Sequence, residues 1–218
     1  NNVVGAGSAV ADTVVKNLDP SVTATFSSST VDEGTSVDLD LVITDPGTAD
    51  TFTLDIDWGD GLTDHLTNLT AGTQSPISHT YYDDDPTHTD SGTMTATITV
   101  LDDDTGSVTN TAALTVKNVV PTVTATFASG AVDEGSTTNL MLDITDPGLL
   151  DTFTVTIDWG DGHTEILTFP ASVASWPVPH VYVDDDPSHG TPFDSMTVTV
   201  SIEDDDTGSA STTTGITV

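Results

Sequence analysis

The sequence predicts an all-β protein: two antiparallel β-sandwiches in tandem, arranged end to end. Three observations carry that prediction. First, the chain repeats itself. Phe26 recurs as Phe127, Asp32-Glu33-Gly34 as Asp133-Glu134-Gly135, and Asp45-Pro46-Gly47 as Asp146-Pro147-Gly148, all at an offset of 101. Ile56-Asp57-Trp58-Gly59-Asp60-Gly61 returns at the same offset, as do His79 and Tyr81, which become His180 and Tyr182. One residue inserted between His189 and Met196 moves the last match, Asp102-Asp103-Asp104-Thr105-Gly106, to an offset of 102. Second, each copy alternates apolar and polar residues at period 2, the pattern of a half-buried strand. Third, turn signals separate these runs at intervals of roughly ten residues, the spacing of a sandwich.

Each element can be placed in order. Val37, Leu39, Leu41 and Ile43 share one face of a strand; so do Phe52, Leu54, Ile56 and Trp58, and again Met94, Ala96, Ile98 and Val100. Thr and Asp, with Val42 the exception, fill the alternate positions, so the other face is wet, as in an antiparallel sheet with one solvated side. Seven strands are predicted per copy: 20–27, 36–44, 52–58, 62–69, 76–82, 93–101 and 107–116, then 121–128, 137–145, 153–159, 163–169, 177–183, 195–203 and 209–218. No stretch has helical periodicity with caps. The repeats are assigned to residues 19–117 and 118–218. Residues 1–18 resemble the segment around Ala112 to Asn118, so they read as the last strand and linker of a preceding copy and the sequence as part of a longer chain. The linker Lys117-Asn118-Val119-Val120-Pro121 contains no Gly, and Pro121 biases Val120 toward extended geometry. A monomeric rod is the expected shape.

Charge narrows the function. Thirty-five acidic residues face two basic ones, for a formal net charge of −33. Such a chain repels nucleic acid and anionic lipid. No run of 18 apolar residues suits a membrane span. The chain also repels itself unless cations screen or bind it. Only Glu33, Glu134, Glu165 and Glu203 are glutamates; every other acid is Asp, the residue of turns and of oxygen-ligand cation loops. That bias favours specific divalent-cation sites over a generally acidified, salt-adapted surface. There is no Cys, hence no disulfide and no thiolate metal site.

Trp58-Gly59-Asp60-Gly61, then His79-Thr80-Tyr81, then a strand ending in Asp102-Asp103-Asp104 resemble the PKD (polycystic kidney disease) domain family, and the second copy carries the same three motifs in order. The resemblance implies an immunoglobulin-like β-sandwich. It also implies an extracellular or cell-surface setting, as a spacer or interaction module, and in some members calcium near the interdomain linker. The loop after Tyr81 is longer than the family's usual turn. It runs through Asp83-Asp84-Asp85-Pro86 and recurs as Asp184-Asp185-Asp186-Pro187.

Strand alternation places loops one, three and five at one end of a sandwich and loops two, four and six at the other. The trailing end of a copy therefore holds Asp32, Glu33, Asp83, Asp84 and Asp85, and in the second copy Asp133, Glu134, Asp184, Asp185 and Asp186. The leading end holds Asp45, Asp50, Asp102, Asp103 and Asp104, and in the second copy Asp146, Asp151, Asp204, Asp205 and Asp206. At the junction the trailing end of copy one faces the leading end of copy two, with Lys117 and Asn118 between. One lysine cannot neutralise these carboxylates, whereas a hard cation with six to eight oxygen ligands can. Calcium suits them better than zinc, because soft ligands are missing, and better than magnesium, because flexible oxygen-rich loops favour the larger ion. At a site Kd on the order of 10⁻⁵ M and millimolar calcium, each site contributes about 2.7 kcal/mol.

The remaining candidates read as structural. Trp58 and Trp159 fall on core-facing positions, and His79 and His180 hold a turn or strand edge. Trp176 stands where copy one has Ser75, and His88 and His189 lie in acidic loops. Asn68-Leu69-Thr70 matches a short glycosylation pattern. No nucleophile or zincin motif is present, so no enzyme is expected. The expected function is a calcium-stabilised extender repeat of a large bacterial surface protein, adhesin-like, whose partners are its neighbouring repeats. The alternatives are a carbohydrate- or protein-binding module of a secreted hydrolase, and a salt-adapted surface-layer repeat without tight metal sites.

Overall fold

A computed structural model describes residues 14–84, 88–170, 175–184 and 192–218. The part of the predicted upstream strand before residue 14, and Asp85, Asp185, Asp186 and His189, lie outside the described residues. Among the described residues every regular element is a strand, numbered β1 to β16 in chain order.

In the first sandwich, one sheet is built on β3 (Ser36–Thr44), which pairs with β1 (Ser21–Phe26), β6 (Gly72–Thr73) and β7 (Ile77–Thr80). The other runs β2 (Thr30–Asp32), β9 (Ser107–Lys117), β8 (Ser91–Asp102), β4 (Phe52–Asp57) and β5 (Thr63–Leu69). In the second sandwich β10 (Thr122–Phe127), β11 (Thr137–Thr145) and β14 (Ser175–Val181) form one sheet. β13 (Thr164–Phe169), β12 (Phe153–Asp158), β15 (Ser195–Asp204) and β16 (Ser209–Thr217) form the other.

Period 2 becomes burial. Val37, Leu39, Leu41 and Ile43 of β3 point into the first core, against Leu54, Ile56, Ile98 and Val100 of the facing sheet. Each contributes about 1.5–3 kcal/mol of apolar burial. Leu140, Leu142, Val155, Ile157, Val198 and Val200 form the same layer in the second core. Pro177 and Pro179 are accommodated because β14 is an edge strand and need not donate outward.

The Trp-Gly-Asp-Gly motif proves to be architecture. Trp58 N–H closes the turn onto the Leu62 carbonyl at 3.1 Å, and Gly59 and Gly61 take φ of 86° and 89°, the left-handed region where a Cβ is strained. The His79 ring stacks on Trp58 with centroids 4.2 Å apart, and its Nε2 meets Asp60 Oδ2 at 2.7 Å. The Tyr81 hydroxyl donates to the Trp58 carbonyl at 3.1 Å. Trp159, His180, Asp161 and Tyr182 repeat the arrangement.

Two elements differ from expectation. After β1 the chain crosses between sheets, and β2 pairs in parallel with β9, Thr30 opposite Thr115 and Asp32 opposite Lys117. The second sandwich keeps this as a parallel bridge between Ala131 and Thr217. The strand expected at 76–82 is the shorter β7, and an additional two-residue strand, β6, which was not expected, precedes it; both pair with β3.

Candidate metal centre

The junction gathers the loops that strand alternation assigns to it. From the first sandwich come Glu33, after β2, and Asp83 and Asp84, after β7. From the second come Asp146 and Asp151, between β11 and β12, and Asp204, Asp205 and Asp206, at the end of β15. Three groups of carboxylates each place one oxygen per residue within 4.8 Å of the others: Glu33 with Asp146 and Asp151, Asp83 with Asp84 and Asp206, and Asp151 with Asp205 and Asp206.

The linker fixes the geometry. Val119 N–H donates to Glu33 Oε1 at 2.7 Å, and Glu33 N–H donates to the Lys117 carbonyl at 3.0 Å. Asn118 Nδ2 donates to Asp204 Oδ2 at 2.9 Å, joining linker to second sandwich. The Leu149 N–H donates to the Tyr82 carbonyl at 3.0 Å, a main-chain bond between the sandwiches. Gly34, at φ 69°, lets the Pro147 backbone approach; a Cβ at Gly34 would stand 2.7 Å from Pro147 Cβ and 2.9 Å from its carbonyl oxygen. Gly92 of β8 performs the same service for the Asp84 carbonyl, which occupies the place of its missing Cβ.

Electrostatically the centre is unbalanced. Glu33, Asp84, Asp151 and Asp206 are each 2% exposed or less. Glu33 Oε2, Asp146 Oδ2, Asn118 Oδ1 and both oxygens of Asp84 and of Asp151 are buried without a hydrogen-bond partner. A buried polar atom left unsatisfied costs about 1–3 kcal/mol, and more when charged. Lys117 is exposed and, among the described residues, forms no ion pair there; His88 Nδ1 comes to 3.9 Å from Asp206 Oδ1. Burial first, then the neighbouring carboxylates, pushes Glu33 and Asp151 up to about 8. Burial likewise pushes Asp84 and Asp146 up to about 6.

Not every expected ligand is oriented for that role. Asp102 and Asp204 organise their own loops: Oδ1 of Asp204 accepts from the N–H of Asp206 at 3.0 Å and of Gly208 at 2.6 Å, and Asp102 does the same with Asp104 and Gly106. Their second oxygens accept from Asn118 and Asn17. Asp32 is exposed and outside the three groups. At the leading end of the first sandwich Asp103 and Asp104 are exposed and Asp45 and Asp50 half-buried, and no such group forms there among the described residues. Partial burial and then Asp45, Asp103 and Asp104 still raise Asp50 above the usual carboxylate range. At the trailing end of the second, Asp133, Glu134 and Asp184 are exposed. Among the described residues the same sequence motif is therefore buried at the junction and more open at the two outer ends.

Sequence reasoning missed the backbone contacts, Gly34 on Pro147 and Leu149 on Tyr82. One signal was present: Thr48-Ala49 in the first repeat becomes Leu149-Leu150 in the second. With Leu62, Tyr82 and Met94 these leucines line an apolar groove at the junction.

Fold and site together define a class: tandem immunoglobulin-like sandwiches with a carboxylate-lined joint. No family model matches the chain, and no curated protein does. Similar solved structures include a tetra-tandem repeat in the extending region of a large adhesion protein, at 15% identity and TM-score 0.52, covering 92% of this chain and 49% of that one. The PKD domain of an M14-like peptidase from a Thermoplasmatales archaeon is 27% identical, with TM-score 0.34, over 45% of this chain and 91% of that one. The adhesin InvE of Yersinia pseudotuberculosis is 13% identical, with TM-score 0.44, over 89% of this chain and 58% of that one. The chain thus spans about half the length of the adhesion-protein structure, whose similarity is one of fold.

Proposed function

We propose that the chain is a calcium-stiffened extender segment of a large surface protein, adhesin-like in role, with no catalytic activity. The observation that carries this reading is the set of buried, unpartnered carboxylate oxygens contributed to one joint by both sandwiches. The donors are all oxygen and include the Asn118 carbonyl, a set suited to a hard cation that accepts six to eight ligands. A cation there cancels the repulsion and couples the sandwiches, so binding stabilises the joined arrangement over the separated one. The similar solved structure, from the extending region of a large adhesion protein, fits the same role.

The test is thermal unfolding of the stripped chain in EDTA, in millimolar calcium, and in high NaCl alone. Calcium is expected to raise the melting temperature by about 5–10 °C for each tight site. A melting temperature indifferent to calcium removes the reading, and full recovery in NaCl alone favours the salt-adapted alternative. The binding-module alternative has one specific observation: Trp176, half exposed, meets Phe169 edge-on with centroids 5.8 Å apart.

A further inference from the structure

We propose that the joint holds a row of three calcium ions, bridged by Asp151 between the first and second and by Asp206 between the second and third; this rests on the calcium reading above. The three carboxylate groups are not separate clusters. Asp151 belongs to the group with Glu33 and Asp146 and to the group with Asp205 and Asp206; Asp206 belongs to the latter and to the group with Asp83 and Asp84. The groups therefore form a line whose links are two shared side chains. Asp151 is built for sharing: it is 1% exposed, and neither of its oxygens has a hydrogen-bond partner, so each oxygen is available to a different ion. Asp84, at the far end, is fully buried and offers both of its oxygens as well.

Charge supports three ions over one. The groups comprise seven distinct carboxylates, Glu33, Asp83, Asp84, Asp146, Asp151, Asp205 and Asp206. One divalent ion leaves most of that negative charge in place, whereas three nearly cancel it, and at the separations present the residual repulsion is large in a poorly solvated joint. The row is also asymmetric. The two outer positions take ligands from both sandwiches, and the middle one only from the second. The middle ion organises the leading end of the second sandwich; the outer ions weld that end to the first. Because neighbouring ions share a ligand, filling one position fixes the geometry of the next, and loading is cooperative.

Native mass spectrometry of the full chain, stripped and then titrated with calcium, tests this directly. The wild type is expected to retain three tightly held ions. Asp151→Asn should lose two of them, Asp206→Asn two, and Glu33→Gln one, while Asp50→Asn, the counterpart of Asp151 at the leading end of the first sandwich, should lose none. Loss of a single ion in Asp151→Asn, or a wild-type count of one, overturns the bridged row and leaves the calcium reading standing. A wild type that holds no calcium overturns both. Should a variant fail to fold, anomalous scattering from a calcium-loaded crystal of the wild type decides: three peaks in a line with neighbours about 4 Å apart support the row, and isolated peaks overturn it.

Discussion

Glu33 and Asp151 show how covering a carboxylate changes its chemistry. Glu33 is 1% exposed, whereas its repeat counterpart Glu134, at the far end of the second sandwich, is exposed. Their burial fixes a pH dependence. Unfolded carboxylates titrate near pH 4, but folding raises Glu33 and Asp151 to about 8 and Asp84 and Asp146 to about 6. Between these limits the metal-free folded state binds more protons than the unfolded one, so its stability falls as pH rises from about 4 to about 8. On the proposed reading calcium takes the deprotonated groups, which would reverse the slope. Melting temperatures measured in EDTA should fall from pH 5 to pH 8, and the gap opened by calcium should widen over the same range. An EDTA curve that rises across this window would contradict the assignment.

At the scale of the element, the loop carrying Gly34 is the part that lets two sandwiches meet. Gly34 and Gly135 have nearly the same backbone, φ 69° and 72°, so alanine imposes about the same 1–2 kcal/mol of local strain at either. Space distinguishes them: Gly34 is backed by Pro147, and Gly135 by nothing within 4 Å. Gly34→Ala should weaken calcium binding at least tenfold by calorimetric titration, and Gly135→Ala should not; equal effects would show that the contact with Pro147 is incidental. Elements with a sustained period, such as β3 and β8, were legible in the sequence because alternation alone places their residues. β2 was not, because Thr30-Val31-Asp32 is too short to show a period and its pairing depends on a crossover between sheets. The meeting of Glu33, Asp83 and Asp84 with Asp146, Asp151 and Asp206 followed from counting loops. What the sequence could not separate was an Asp that caps its own loop from an Asp that turns its oxygens toward the joint. Asp204 and Asp206 stand two residues apart in one run, and only the turn, with Thr207 at φ 77°, assigns them different work.

At the scale of the whole molecule, the parallel pairing of β2 with β9 has a mechanical consequence. β9 leads directly into the linker, so tension along the chain pulls Lys117 one way and the strands before β3 the other. A parallel pair of terminal strands then lies along the line of pull, and its three register pairs, together with the flanking Glu33-to-Lys117 and Thr115-to-Ser29 main-chain bonds, are loaded in shear. Bonds loaded this way must fail together, unlike a hairpin peeled from one end, which opens one bond at a time. Val31→Pro deletes an amide from that clasp and should lower the rupture force of the first sandwich in single-molecule pulling; an unchanged force would place the mechanical barrier elsewhere. The strand with the weakest sequence signal is thus one that carries traction in shear.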